Sequence, residues 1–412
     1  MGEGRIRRRT RETARPFAVA VHRLRSPTPR PAGPNREGRV SDVGDVAVML
    51  GAIELARSAR RHTAPWPAVG CVVTRAGEVV GAGATGPYPT GPHAEITALR
   101  AAGERARGAT AYCTLEPCNH HGNTPPCSEA LIAAGISRVV VAVGDPDERV
   151  AGRGYARLRD AGVEVRAGVG AAEAERDLAP YLHHRRTGKA FVVAKVALSL
   201  DGRVAAADGT SRWITSDGAR ADAHELRADS QAIVVGSGTA LADRPALTVR
   251  GVEVAPARAP LRVLLDGRGR VAAEGPLFDS TLGPTLVVTT EAARSGAVDA
   301  WRAAGAKVEV VAPGASGRGV DLGAAFTVLG REGVLQALVE GGGELLGAVA
   351  GGGHAQRVVA YVAPMLLGTD GAAGFAYAGP RTIADAPRWE LVDVARSGAD
   401  VRLELEPSAE VR

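Results

Sequence analysis

One imidazole, one carboxylate and two thiols fall within a short stretch of the chain: His93, Glu95, Cys118 and Cys127. An imidazole and two thiolates are three donors suited to Zn²⁺, and three protein ligands leave the fourth position of a tetrahedral ion to water. Glu95, two residues from the histidine, is poorly placed to ligate the same ion. It is well placed to carry protons between that water and a substrate. The chemistry these residue types predict is hydrolytic attack by a metal-activated water. His93 and Cys127 both stand at expected helix starts, where the dipole favours a thiolate. A closed structural zinc site would need a fourth ligand, for which Cys113, His120 and His121 are the candidates. Cys113 is set aside because it sits on the alternating strand Ala111-Tyr112-Cys113-Thr114, and Glu95 would then have no task. Cys71, inside Val69–Val73, reads as core packing.

A second group lies further along. Lys195 is a cation within the apolar run Phe191–Leu198, which a strand tolerates only if the ammonium meets an anion. Val235-Gly236-Ser237-Gly238-Thr239 and Val339-Glu340-Gly341-Gly342-Gly343-Glu344 end strands in Gly-rich turns. Such turns bring backbone N–H groups to a phosphate. Neither has the G-x-G-x-x-G spacing, so no Rossmann fold is expected. Arg227 and Arg250, taken alone, read as solvated surface charge, although their guanidinium groups suit a fork around a phosphate.

The elements that must position these groups read as alternating α and β. A helix runs from Val46 to about Arg60, two strands flank a turn at Ala76-Gly77, and helices start at His93, Cys127, Arg153 and Ala171 between strands at Ala109–Thr114 and Arg138–Val143. Gly188 is the expected boundary. Beyond it come strands at Phe191–Leu198, Ala232–Val235, Leu261–Leu265, Thr285–Val288, Lys307–Val311, Val334–Val339 and Arg357–Val362, then an antiparallel tail pair. Helical patterns recur between them, and 412 residues accommodate two domains. Net charge is +5, with a pI of about 9.3. Residues 1–40, Arg- and Pro-rich and read as a disordered leader, carry +8 of it, leaving −3 on the rest. That distribution, with only 4% aromatic residues, argues against a nucleic-acid partner. No apolar run is long enough to span a membrane or form a secretory signal, so a cytoplasmic protein is expected.

The segment Thr114-Leu115-Glu116-Pro117-Cys118-Asn119-His120-His121-Gly122-Asn123-Thr124-Pro125-Pro126-Cys127, with His93-Ala94-Glu95, has the His-x-Glu…Pro-Cys…Cys form of zinc deaminases. With Asp145-Pro146-Asp147 and Val150–Gly154 it resembles the deaminase half of the bifunctional riboflavin-biosynthesis proteins. Lys195, Asp201-Gly202, Ser211–Thr215, Arg227, Gly236–Thr239, Asp243–Arg250, Glu340–Gly343 and Ala363–Gly368 resemble their reductase half, whose fold is similar to dihydrofolate reductase. The resemblance covers about residues 45–410. It implies an α/β protein: a cytidine-deaminase-like α/β/α domain over 41–187, then a dihydrofolate-reductase-like α/β domain over 188–412. Zn²⁺ would sit on His93, Cys118 and Cys127, with Glu95 moving protons. Lys195, Asp243 and Glu340 would govern ring opening and protonation. Ser211, Arg227, Asp243, Leu247, Arg250 and Glu340 would contact the ribose phosphate. Ala197, Trp213, Thr239, Asp243 and the run Gly342, Gly343, Glu344, Leu345, Leu346, Gly347 and Ala348 would contact NADPH. The implied substrate is a phosphoribosylaminopyrimidine, the implied assembly a homo-oligomer, with no nucleic-acid or membrane partner. The chain departs from the family pattern at Trp66, at Ala84 and Thr85, at Asn123, at Gln231 and at Arg244. The competing expectation is a paralogue acting on a related pyrimidine in specialised metabolism, or one with a single active half.

Overall fold

The computed structural model describes residues 40–120, 125–315, 317 and 319–408, with side chains from residue 44 onward. His121 and Asn123, and all of the leader but Val40, lie outside these. The chain divides into two compact units: residues up to Ala59 with Ala68–Asp177, and Arg60–Pro67 with Leu178 onward.

α1 (Val40–Thr63), which lies in the first unit up to Ala59, buries Met49, Ala52, Ile53 and Ala56, an i, i+3, i+4, i+7 stripe. β1 (Gly70–Arg75) and β2 (Glu78–Ala84) form the expected hairpin. Its turn residues Ala76 (φ 51°) and Gly77 (φ 82°) adopt the left-handed conformation that matches strand twist. α2 (Ala94–Ala102), β3 (Thr110–Leu115), α3 (Cys127–Ala133), β4 (Arg138–Val143), α4 (Arg153–Asp160) and β5 (Glu164–Ala167) follow. The five strands run in the order β2-β1-β3-β4-β5, with β1 antiparallel to its neighbours and β3, β4 and β5 parallel. β3 does not alternate as expected. Lying between β1 and β4 with both faces covered, it buries every residue from Ala111 to Leu115. Cys113 is opposite Cys71 in the register, their sulfurs 3.7 Å apart, both fully buried.

Two glycines of β2 set where α2 lies. A Cβ on Gly81 would come within 2.2 Å of the Ala98 carbonyl oxygen, and one on Gly83 within 2.5 Å of the Thr97 Cβ. Only bare backbone lets the helix approach this closely, and that approach carries His93 and Glu95 to the sheet.

α5 (Ala171–Thr187) contains the division between the units, which therefore falls upstream of Gly188. The second unit holds β6 (Phe191–Ser199), β7 (Arg203–Ala205), α6 (Asp217–Ala228), β8 (Ala232–Gly236), α7 (Ser237–Asp243), β9 (Leu261–Leu265), β10 (Thr285–Thr289), α8 (Ala297–Ala303), β11 (Lys307–Val310), α9 (Leu322–Arg331), β12 (Gln336–Val339), α10 (Gly343–Gly351), β13 (Arg357–Ala363), β14 (Ala372–Ala373), β15 (Trp389–Ser397) and β16 (Asp400–Pro407). Nine of these strands make one sheet, β11-β10-β9-β8-β12-β6-β13-β16-β15, parallel from β11 through β13, with the antiparallel tail pair at one edge. Successive strand residues serve opposite faces. Val234, Val263 and Val288 pack with Phe326 of α9 and Leu346 of α10, while Ile233, Leu264 and Val287 pack with Ala240 of α7 and Trp301 of α8. Sheets covered on both faces need such continuously apolar strands. α7 replaces what the sequence suggested was only a turn: Gly236 is the N-cap and the helix begins at Ser237. Among the described residues no helix is long and apolar enough to cross a membrane.

Candidate active sites

In the first unit, His93 caps α2, Cys118 follows β3, and Cys127 opens α3. Their donor atoms all lie within 4.8 Å of one another. His93 Nδ1 is 3.2 Å from Cys127 Sγ and 3.6 Å from Cys118 Sγ. Ligands of one tetrahedral zinc, at its usual bond lengths to sulfur and nitrogen, stand about 3.6 Å apart. Donor set and spacing therefore both fit zinc. Cys118 Sγ accepts the backbone N–H of Cys127 at 3.4 Å. Hydrogen bonds from Cys127 and His93 bring the Cys118 thiol down to about 4 against the opposing effect of burial. His120 is not in the donor group, so no fourth protein ligand closes the site among the described residues.

Glu95, one residue into α2, is buried. Burial, reinforced by the nearby Cys118 thiolate, pushes its carboxyl up to about 6. A carboxyl poised there can both take and give a proton near neutrality.

Glu116 was missed by sequence reasoning. Its buried carboxylate accepts the backbone N–H groups of Asp145 (3.4 Å), Gly152 (3.1 Å), Gly154 (3.0 Å) and Tyr155 (3.3 Å). It thereby fastens the 145–155 segment beside Cys118. Its signal was its place in Glu116-Pro117-Cys118. Thr85, at one of the departures, is committed to structure: its Oγ1 accepts the Val69 N–H at 3.1 Å.

In the second unit the Gly-rich turns stand side by side, because β8 and β12 are parallel neighbours. Thr239 Oγ1 accepts the Gly342 N–H at 2.8 Å, linking the starts of α7 and α10. Strand order reverses here, since β8 leads to β9 on one side and β12 to β13 on the other. Such a reversal opens a crevice at the carboxyl ends of the strands. Gly238 and Gly342 are exposed, and a Cβ on Gly238 would meet nothing. This bare backbone fits a dinucleotide phosphate. Leu346 and Gly347 are buried, Leu346 in the core, so only the exposed part of the Gly342–Ala348 run faces outward.

Lys195 on β6 is half-buried, its Nζ 5.9 Å from the centre of the Tyr361 ring. Burial lowers its pKa; the charge of Glu340 opposes this and that of Arg227 adds to it. Glu340 supplies the anion the strand required. It is gripped by Arg227 through both oxygens, Nε to Oε1 at 2.7 Å and Nη2 to Oε2 at 2.6 Å. The edge of Arg227 expected to fork a phosphate is thus occupied, and its Nη1 donates to the Thr248 carbonyl at 3.0 Å. Burial pushes the Glu340 carboxyl up, but Arg227 and Lys195 outweigh it and hold it below the usual range.

Ser211 and Asp243 share a cavity of about 430 Å³ with Thr210, Arg212, Ala242 and Arg244. Arg244 reaches Glu274 at 3.6 Å. Trp213 is 66% exposed, with the Arg220 guanidinium 4.3 Å from its ring centre. Leu247 is buried with φ 51°, Ala197 is half-buried and Arg250 exposed. Gln231 accepts the Gln336 N–H at 3.0 Å, tying β8 to β12.

Residues 44–143 match the family model for the cytidine and deoxycytidylate deaminase zinc-binding region, and residues 190–403 match that for the RibD C-terminal domain. The riboflavin biosynthesis protein RibD of Escherichia coli K12 is 40% identical over 371 residues, covering 88% of this chain and 99% of its own. That of Mycobacterium tuberculosis H37Rv is 40% identical over 358 residues, 86% of this chain and 95% of its own. The Acinetobacter baumannii RibD structure (form 1) superposes with a TM-score of 0.79 at 38% identity over 89% of this chain and 99% of its own. A diaminohydroxyphosphoribosylaminopyrimidine deaminase/5-amino-6-(5-phosphoribosylamino)uracil reductase from Thermotoga maritima gives 0.76 at 32%, over the same shares. Matches spanning both units do not favour a paralogue of specialised metabolism. Two catalytic units joined in one polypeptide, each matched along nearly its whole length, place the chain in the RibD family of bifunctional riboflavin-biosynthesis enzymes, a deaminase followed by a reductase.

Proposed function

We propose that the first unit deaminates 2,5-diamino-6-(5-phosphoribosylamino)pyrimidin-4(3H)-one, and that the second reduces the ribosyl side chain of the product, 5-amino-6-(5-phosphoribosylamino)uracil, to ribityl with NADPH. The observation that carries the reading is the gathering of His93, Cys118 and Cys127 within 4.8 Å beside the buried Glu95, in a chain that continues into a reductase domain. Zinc on these three donors supplies Lewis acidity, making water nucleophilic at neutral pH. Glu95 would carry the first proton of the attacking water to the ring nitrogen, then the second, from the hydroxyl now on the ring carbon, to the amine, which leaves as ammonia as the C–N bond breaks and the carbonyl forms. NADPH supplies the hydride for the second step. The exposed Gly342, its own N–H held by Thr239, stands at the positive end of α10, which favours the cofactor's phosphates. Arg227 holds the Glu340 carboxylate in one orientation near Lys195, so that a proton moves between those groups and the opening ribose as hydride reaches C1′. Ser211, Asp243, Leu247 and Arg250 complete the ribose-phosphate contacts, and Ala197, Trp213 and Thr239 those to the cofactor. Residues 41–187 and 188–412 are the respective catalytic stretches. A homo-oligomer belongs to the proposal, supported by Leu391 (58% exposed) and Val394 (54%) on the edge strand β15.

The test supplies the diaminopyrimidine to zinc-replete protein with and without NADPH. Ammonia release in both cases, with NADPH oxidised in the second, is the expected result. Ammonia without NADPH oxidation would leave only the deaminase assignment, and neither signal would overturn the reading.

A further inference from the structure

We propose that His224 is a positioning residue of the reductase site: through Nδ1 it pins the backbone of Arg250 and so sets where that guanidinium meets a phosphomonoester. The proposal rests on the reductase reading above. Residues 244–260 contain no helix or strand, so nothing regular fixes Arg250, whose side chain is exposed. What fixes it is α6. His224 and Arg227, three positions apart and on one face of that helix, reach the same segment at two points. Arg227 Nη1 donates to the Thr248 carbonyl at 3.0 Å, and the Arg250 N–H donates to His224 Nδ1 at 3.2 Å. Because Arg227 is itself gripped by Glu340, the segment carrying Arg250 is registered, through one helix face, against the carboxylate that flanks Lys195. A two-point clamp turns an irregular segment into a fixed arm, and fixed arms orient reactants.

The hydrogen bond also dictates the form of the ring. To accept an N–H, Nδ1 must carry a lone pair, which places the ring proton on Nε2 and excludes the imidazolium while the bond stands. The surroundings favour that form. Burial and the charges of Arg227, Arg250 and Lys195 hold the imidazole below the usual histidine range, with Glu340 opposing them.

His224→Asn keeps a short acceptor near the place of Nδ1, and His224→Leu removes it. Losing one such hydrogen bond predicts for His224→Leu a rise of about tenfold in KM for the phosphorylated uracil substrate, with kcat within about twofold, and return of KM to within about twofold of native in His224→Asn. Deamination by the same polypeptide should be unchanged in both, which separates loss of the clamp from loss of folding. Imidazole ¹⁵N spectra of the native chain, with the His224 signal identified by its loss in the variants, should show Nδ1 unprotonated at pH 7, and the Arg250 amide should exchange faster in His224→Leu. A native KM in His224→Leu, a loss confined to kcat, or a ring protonated on Nδ1 would overturn the proposal. If native protein oxidises no NADPH, the reductase reading falls, while the ring protonation and amide exchange still decide the His224–Arg250 bond.

Discussion

The two catalytic units solve the problem of gathering reactive groups in opposite ways. In the first, three donors and a carboxylate come from one continuous stretch, and two short elements, the starts of α2 and α3, bring them together. In the second, Lys195, His224, Arg227 and Glu340 come from β6, α6 and the end of β12; the Arg227–Glu340 pair anchors the group, Lys195 feels its charge, and His224 bonds the Arg250 backbone. A site made by ligand geometry should fail locally when a donor is lost. A site made by a charge network should fail together with the stability of its surroundings.

The largest expected effect is on the first site. Cys127→Ala should lose zinc and abolish ammonia release, while NADPH oxidation with the deaminated intermediate persists; metal content by mass spectrometry and the two assays on one sample check this. Loss of both activities would mean that the two sites are not separable. Glu95→Gln should retain zinc and lower deamination about 10²–10⁴-fold, the range for removing a general acid–base; a zinc-free Gln variant would show that Glu95 holds the metal instead. In the second unit, Arg227→Met strands the Glu340 carboxylate, and breaking one partner of such a pair costs about 3–5 kcal/mol. All four tryptophans, Trp66, Trp213, Trp301 and Trp389, belong to this unit, so denaturation followed by their fluorescence reads it alone. Adding Glu340→Gln should recover much of the stability without restoring reduction, and an unshifted midpoint in the single variant would erase the proposed contrast.

The smallest effect concerns acid. Asp45, nearly buried in the first unit, accepts from Tyr112 at 2.7 Å and is flanked by Arg138 at 2.8 Å and Arg166 at 3.1 Å. Burial pushes its carboxyl up, but these partners together hold it below the usual carboxylate range. A depressed folded value means that the stabilisation is complete above the unfolded pKa and is lost as pH falls through the lower folded one. Stability of this unit should therefore be flat above about pH 5 and decline below about pH 4. Asp45→Asn should be less stable at neutral pH by about 1–2 kcal/mol and lose part of its acid dependence, as urea midpoints across pH would record.

The same contrast explains what the sequence made legible. Zinc ligands within a short motif announce themselves by residue type and spacing, and strands buried on both faces by unbroken apolar runs. His224 carries no such signal, since it acts on a backbone group distant in sequence, and that of Glu116 is only its place before Pro117-Cys118. Arg227 looked like an open phosphate fork because nothing local reveals that Glu340, 113 positions away, would occupy it. α7 was hidden by the glycines of Gly236-Ser237-Gly238, which read as a turn, and β5 by its shortness and polar residues, Glu164 and Arg166. Alternation along one strand does not reveal the burial of Cys113, which depends on the neighbours β1 and β4.

The order of strands in the large sheet bears on how the chain emerges from the ribosome. Every strand of the smaller sheet has been made by Ala167. β6, by contrast, pairs only with β12 and β13, so Phe191–Ser199 has no neighbour until Gln336 is synthesised. At about 5–20 residues per second, this apolar strand waits roughly 7–30 s for its first partner. The reductase half is therefore the one that needs protection during translation, and a nascent chain stalled before Gln336 would carry a closed first sheet followed by an unpaired, adhesive strand.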